Sequence, residues 1–538
     1  MANPTITETF PKAATTLRRD VGRSGLLFAS LGGIIGSGWL FGALYSAQSA
    51  GPAALISWVI GGLAVLLLAL IYAELGSTFP VAGGVARFPH LSHGSLVSFT
   101  TGWVAWLAYV TVAPIEVEAA LQYASNYLPW LTHVVNNTVV LTASGYGVAA
   151  ALMLVFVLIN LVGVKQMADT NTVIGWWKLA IPTLTFIALI VVGFHGSNFS
   201  AFGGFAPYGA KGILSAVSTS GVIFSFLGFR QAVELGGESD NPKKNIPFAV
   251  IGSVLIGLVL YVFLQLALLG AVRPSHLAQG WASLSFPGHF GPFAGLATTL
   301  GLSWLAILLY TDAIISPGGT GLIYTSSTAR LTYALARNRY LPKWFTTVSL
   351  RGVPIWSILF TFLIGMVVFL PFPGWQSLVG FITSASVLSY GIGPIALAAI
   401  RDQQPEIERP YKLPWARFWS PIAFIISNLI VFWTGWNTDF KLFLAVLLGF
   451  VVLALAYSNQ PENERPQLSL GNGLWLFPYF IGMAVLSYLG SFGGGLNVLP
   501  FGWDMLVVAA YSLVIYYWAI RVRLSDQETQ EYVMELES

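Results

Sequence analysis

The chain has 538 residues, of which 56% are hydrophobic and 9% charged, with a mean hydropathy of +0.73. A soluble domain carries about 25% charged residues, so a water-facing shell is excluded and the lipid bilayer is the solvent that fits. The net charge of +3 leaves no basic surface for nucleic acid, and the absence of cysteine removes disulfides, thiolate metal sites and cysteine nucleophiles.

Residues 1–23 are polar, with Lys12, Arg18, Arg19 and Arg23 ahead of the first apolar run and no convincing cleavage site. This reads as an uncleaved cytoplasmic tail. Apolar runs follow at about 24–47, 53–73, 95–125, 147–164, 172–194 and 213–236, then 247–272, 292–325, 355–372, 375–400, 418–436, 441–457, 473–490 and 503–520. They predict fourteen membrane helices, within two. Lysine and arginine should gather in the cytoplasmic loops. With the N-terminus inside, the inner side collects Arg87, Lys165, Lys243, Lys244, Arg401, Arg409, Lys412, Arg417 and Arg465, while the outer loops hold Lys211, Arg273 and Lys441. Arg521 and Arg523 also fall inside, so both termini are expected in the cytoplasm. The basic segment Arg330 to Arg351, with Trp344 and Phe345, is expected along the inner membrane surface. His90 and His93 fall in the inner loop after the second run and read as interfacial anchors. Asn136-Asn137-Thr138 and Asn198-Phe199-Ser200 match the glycosylation acceptor pattern on the outer side.

The first run contains Gly32-Gly33-Ile34-Ile35-Gly36-Ser37-Gly38. Each interior glycine costs a helix about 1 kcal/mol, so this stretch favours unwinding. Non-helical main chain at membrane depth is tolerated only where it is buried in protein or lines a cavity, and a bound solute supplies such a partner. The sixth run is interrupted at Phe224-Ser225-Phe226-Leu227-Gly228-Phe229-Arg230. Helices one and six are five apart, the spacing at which transporters built from inverted repeats place discontinuous helices around a midplane substrate site. Close packing through small residues explains either cluster alone; two in register favour a site.

Together with these stretches, Tyr72-Ala73-Glu74-Leu75-Gly76-Ser77-Thr78-Phe79-Pro80, Ala82-Gly83-Gly84, Gly237-Glu238, Asn241-Pro242-Lys243-Lys244-Asn245-Ile246-Pro247, Ala334-Leu335-Ala336-Arg337-Asn338 and Leu341-Pro342-Lys343 resemble the amino acid-polyamine-organocation superfamily of amino acid permeases. The likeness covers about residues 24–400. It implies an all-α polytopic membrane protein with a LeuT-like five-plus-five inverted repeat. Repeat one would span about 24–194 and repeat two about 213–400, followed by four accessory C-terminal helices over 401–520 and a cytoplasmic tail over 521–538. It also implies that Ile35, Gly36, Ser37 and Gly38 offer backbone N–H groups to an amino acid carboxylate, a use that suits helix-end donors. Carbonyls around Phe226 and Gly228 would receive the ammonium, and Phe226 or Phe229 would close over the ligand.

Lys178 lies a little inside the cytoplasmic end of the fifth run. A central lysine costs about 2.5 to 3.5 kcal/mol to insert, and the plain reading is snorkelling along its aliphatic stem. Several proton-coupled members of the resembled family have a lysine here, which implies a proton carrier and makes the proton, rather than sodium, the expected coupling ion, with no other cofactor. Arg230 stays charged at any working pH and is a fixed cation. It reads equally as a clamp for an acidic substrate side chain or as a partner of Glu234 one helical turn on. Glu116 and Glu118 follow Pro114 in the third run and point to nearly opposite helix faces. Glu116 is the favoured accessory proton site or partner of a buried cation, with Asp312 in the eighth run a similar candidate; for each, a helix end reaching water is the alternative.

No His-Glu-x-x-His pattern or nucleophile constellation indicates an enzyme. The expected function is proton-coupled import of amino acids, aspartate and glutamate first and neutral amino acids next. An exchanger on the same fold is the nearest rival, and a channel is a more distant one. The expected partners are the amino acid and the bilayer, without nucleic acid; oligomeric state stays open.

Overall fold

The structure is a computed structural model. It describes residues 19–537 apart from 82, 136–137, 163–164, 287–290, 350–352, 373, 463–464 and 467. Most of the N-terminal tail and the Asn136-Asn137 acceptor pattern therefore lie outside the described residues.

Among the described residues, twenty α-helices follow in order. The first ten are α1 (Arg23–Ile34), α2 (Gly38–Ala50), α3 (Ala54–Thr78), α4 (Gly84–His93), α5 (Ser95–Ala124), α6 (Ala143–Val162), α7 (Lys165–Val192), α8 (Gly209–Thr219), α9 (Gln231–Glu234) and α10 (Pro242–Ala271). The rest are α11 (Pro292–Thr299), α12 (Ser303–Arg337), α13 (Ile355–Val368), α14 (Trp375–Gln403), α15 (Ala416–Thr434), α16 (Trp436–Ser458), α17 (Leu470–Gly473), α18 (Leu476–Leu489), α19 (Trp503–Arg521) and α20 (Asp526–Glu537). The all-α expectation has one exception, an antiparallel hairpin of β1 (Thr132–Val135) and β2 (Thr138–Leu141).

Among the described residues, eleven helical stretches are long and apolar enough to cross a membrane, and twelve if the pair Gly209–Thr219 and Phe224–Glu234, bent by 45°, is one span. The protein is thus a multi-pass membrane protein. This is fewer than the fourteen expected: Gly38–Thr78 forms one apolar stretch across α2 and α3, α1 has 12 residues, and α13 has 14. The expected eighth run divides differently. Pro292–Thr299 is a separate helix, and α12 begins at Ser303 and continues to Arg337, so the first part of the supposed surface segment is the end of a long helix. Beyond it Trp344 is exposed, whereas Phe345 is buried beneath it.

The core forms where α5 packs on α12 and α14, α3 on α10, and α14 on α15. Small residues allow these approaches: Gly393 of α14 faces the Tyr72 ring of α3, which leaves no room for a Cβ. On the side expected to be cytoplasmic, the buried Glu74 carboxylate accepts two hydrogen bonds from Arg401, at 2.8 and 2.5 Å, and a third from the Leu413 N–H at 2.6 Å, with Arg409 3.5 Å away. Of the two histidines there, His93 is not an interfacial anchor. His93 is fully buried, with Nε2 3.0 Å from the Ala519 carbonyl, and His90 packs against the ring of Tyr532 in α20. Burial pushes both imidazoles down to about 4.

Candidate substrate and proton site

The first membrane segment is broken. Helix α1 ends at Ile34, whose successor Ile35 adopts φ −90° and ψ 81°, and α2 starts at Gly38. The sixth segment is broken as well, but earlier than the sequence predicts. Helix α8 stops at Thr219, Gly221 takes φ +93°, and Phe224–Arg230 continues as a 3-10 helix. The two breaks touch main chain to main chain: a Cβ on Gly228 would lie 2.1 Å from the carbonyl carbon of Gly33. Only glycine permits this approach, which explains why the motif carries it here.

Neighbouring hydroxyls and one ammonium serve the opened carbonyls. The Tyr261 hydroxyl of α10 stands 2.9 Å from the Ile34 carbonyl and 3.2 Å from that of Ser225, bridging both breaks. Lys178 Nζ donates to the Gly32 carbonyl at 2.7 Å and to Thr320 Oγ1 at 2.8 Å. Ser30 Oγ donates to the Phe229 carbonyl at 2.9 Å, and the Tyr390 hydroxyl to that of Leu227 at 2.9 Å.

The opened N–H groups are used unequally. Ile35 N–H bonds the Leu31 carbonyl at 2.8 Å and Gly36 N–H the Ile34 carbonyl at 3.2 Å. Ser37 N–H instead donates to Glu116 Oε2 at 2.7 Å. Its side chain accepts from Trp375 Nε1 at 2.9 Å.

The acidic candidates are all buried, none reaching water. Glu116 points into the first break, with Oε1 free of any hydrogen-bond partner among the described residues. Glu118 points away, its Oε1 accepting from Gly374 N–H at 2.9 Å. Asp312 Oδ1 accepts from Trp177 Nε1 at 2.8 Å and from Ser316 Oγ at 2.7 Å. Asp312, Ser316 and Thr320 recur every fourth residue on α12, one face of a helix, and Thr320 meets Lys178. Lys178 is 1% exposed, so it does not snorkel.

Arg230 is fully buried. Its Nε lies 3.5 Å from Glu234 Oε1, so the pair read from the sequence exists, yet none of its three nitrogens has a hydrogen-bond acceptor among the described residues. The guanidinium rests over the rings of Tyr109, at 3.4 Å, and Tyr390, at 4.9 Å, a cation–π arrangement. Glu234 is held by the Tyr109 hydroxyl.

A narrow cavity of about 10 Å³, room for about one water, lies at the meeting of the breaks. Gly33, Ile34 and Gly36 line it from the first break, Glu116 and Val112 from α5, and Thr320 and Tyr324 from α12. Phe224, Leu227 and Ser386 complete the lining. The aromatic from the sixth segment is thus Phe224. Phe226 packs on Trp58 and Tyr261, and Phe229 on Tyr72 and Tyr390. Thr320, Tyr324 and Ser386 escaped the sequence reading; hydroxyls in apolar helices were their only signal.

Residues 21–453 match the sequence profile of the amino acid permease family. The chain is 40% identical to the glutamate/serine transporter AimA of Bacillus subtilis (strain 168) over 511 residues, 94% of each protein. It is 39% identical to the aspartate-proton symporter of the same organism over 497 residues, 92% of this chain and 94% of that one. A methylthioribose transporter, also from Bacillus subtilis, is 28% identical over 457 residues, 82% of this chain and 93% of its own length. A broken pair of helices closing on a small polar cavity, in a chain that matches such a profile over most of its length, leaves one assignment: the chain belongs to the amino acid permease family and is a membrane transporter, not an enzyme.

Proposed function

We infer that the protein imports amino acids together with protons, with aspartate and glutamate the leading substrates. The observation that carries this reading is the pairing, at one helix break, of a backbone N–H suited to a carboxylate with an enclosed lysine and carboxylate suited to proton exchange. In this reading the carboxylate of the amino acid sits on Ser37 and neighbouring N–H groups of residues 35–38. The ammonium sits against the carbonyls of the sixth segment near Phe226 and Gly228, beneath Phe224, and Arg230 orients an acidic side chain with donors that find no acceptor among the described residues. Lys178 carries the proton, and Glu116 and Asp312 serve it from either side; the proton, rather than sodium, is the coupling ion in this reading. The names of the two relatives, a glutamate/serine transporter and an aspartate-proton symporter, support both the acidic substrate and the coupling ion. Serine-sized neutral amino acids are the second reading, favoured by the first of those names and by the small cavity.

The proposed threading has fourteen crossings and both termini in the cytoplasm. The first repeat comprises α1–α2, α3, α5, α6 and α7; the second comprises α8–α9, α10, α12, α13 and α14. Helices α15, α16, α17–α18 and α19 add the last four. Alternating access would rock one helix bundle against the other.

Reconstituted vesicles test this. Labelled glutamate should accumulate above its external concentration when the lumen is alkaline, and a protonophore should abolish the accumulation. Uptake that needs internal amino acid and ignores the proton gradient would make the protein an exchanger instead.

A further inference from the structure

The first break already holds a carboxylate, and it belongs to the protein. Glu116 Oε2 accepts the Ser37 N–H at 2.7 Å. The other Glu116 oxygen is turned the same way: a Cβ on Gly36 would lie 2.6 Å from Oε1 and 3.0 Å from Thr320 Oγ1. Ile35 and Gly36 spend their N–H groups on main-chain carbonyls, so Ser37 is the donor of the three that faces an acidic group. One N–H cannot serve two carboxylates at full strength, and two buried anions side by side repel strongly in a low-dielectric site.

We propose that Glu116 is an internal stand-in for the substrate's α-carboxylate, so that an amino acid binds by displacing the Glu116 side chain from the Ser37 N–H. The inference rests on the reading that the substrate carboxylate is received at this break. Displacement is easiest when Glu116 is protonated, because a neutral carboxyl is a weaker acceptor than a carboxylate. Competition for one N–H thereby ties proton uptake to substrate binding. The other charged and titratable groups around Glu116 are Lys178 on α7, Asp312 and Tyr324 on α12, and Tyr261 on α10. Lys178 is engaged by the Gly32 carbonyl and Thr320, not by Glu116. On α14, the Tyr390 hydroxyl is bonded to the Leu227 carbonyl.

The test uses the purified full-length protein, with labelled L-glutamate and L-serine as probes in equilibrium binding across pH. Wild type should bind more weakly as pH rises, approaching about ten-fold per unit if one proton is linked to binding. Glu116→Gln and Glu116→Ala should both flatten that slope and bind at least several-fold tighter than wild type at alkaline pH. Should either variant fail to fold, wild type alone still decides: at alkaline pH in weak buffer, serine binding should take up about one proton per site. Variants that keep the wild-type slope, or binding without proton uptake, overturn the proposal. Ethanolamine, which is serine without its carboxylate, separates the two levels of inference. If it binds as well as serine, the placement of the substrate at the break fails; if it does not bind and the variants keep their slope, only the competition fails.

Discussion

Two buried carboxylates, Glu74 and Glu116, are each 1% exposed and are treated oppositely by the fold. Glu74 is saturated, with a two-pronged arginine, a second arginine and a backbone N–H. Glu116 has one N–H, one oxygen with no hydrogen-bond partner among the described residues, and a lysine that looks elsewhere. A buried charge with every lone pair served is locked in place, because any motion leaves uncompensated charge behind. One that is under-served is free to change partners or protonation. The contrast marks Glu74 as a fastener between α3 and the end of α14, and sets Glu116 apart as the carboxylate proposed to exchange partners.

The largest effect expected from this contrast lies beside Glu116. Lys178→Met removes the ammonium from the Gly32 carbonyl and should abolish accumulation driven by a proton gradient in vesicles; undiminished uphill uptake would return Lys178 to a packing role. Next comes the fastener. Glu74→Ala leaves Arg401 and Arg409 without their shared partner and should lower the stability of the detergent-solubilised protein by about 3 to 5 kcal/mol, toward the low end because Arg401 is 18% exposed. A melting curve equal to wild type would erase the distinction drawn here. Arg230 tests the comparison from the cationic side, as a buried ion whose donors find no acceptor among the described residues. Arg230→Ala should weaken aspartate and glutamate uptake by about 10- to 100-fold, the worth of a hydrogen bond to a charged group, while neutral amino acids lose much less; equal losses leave only the pair with Glu234. The smallest effect is at His93. Its imidazole falls from 6.5 to about 4 on burial, so the neutral form is favoured in the fold. Its contribution is complete above pH 6.5 and is lost as pH falls through about 4. Acid melting curves should show this loss, and His93→Gln should reduce it.

Composition and glycine placement made the membrane class, the two breaks and the isolated charges legible in the sequence. What remained hidden depends on contacts between distant segments. The glycine run predicts that α1 breaks, but not that Gly33 meets Gly228. The two-residue spacing shows that Glu116 and Glu118 diverge; it does not show that one reaches Ser37 and the other Gly374, 256 positions away. The family resemblance implied that Phe226 or Phe229 closes over the ligand, yet in the 3-10 winding of the segment it is Phe224 that lines the cavity. Glu74 appeared only as part of a family block, since its arginines lie more than 300 residues downstream. Hydroxyl-bearing residues such as Thr320 and Ser386 carry little signal in apolar helices, where they bond their own main chain as easily as a neighbour.

The hydroxyl of Tyr261 ties the two broken segments to a single donor. A phenol has a single proton to give, and here two main-chain oxygens from different segments stand within reach of it. Satisfying one fully deprives the other. Any rotation that draws α10 toward one segment therefore leaves the opposite segment short of a donor, so neither can relax without the other registering the change.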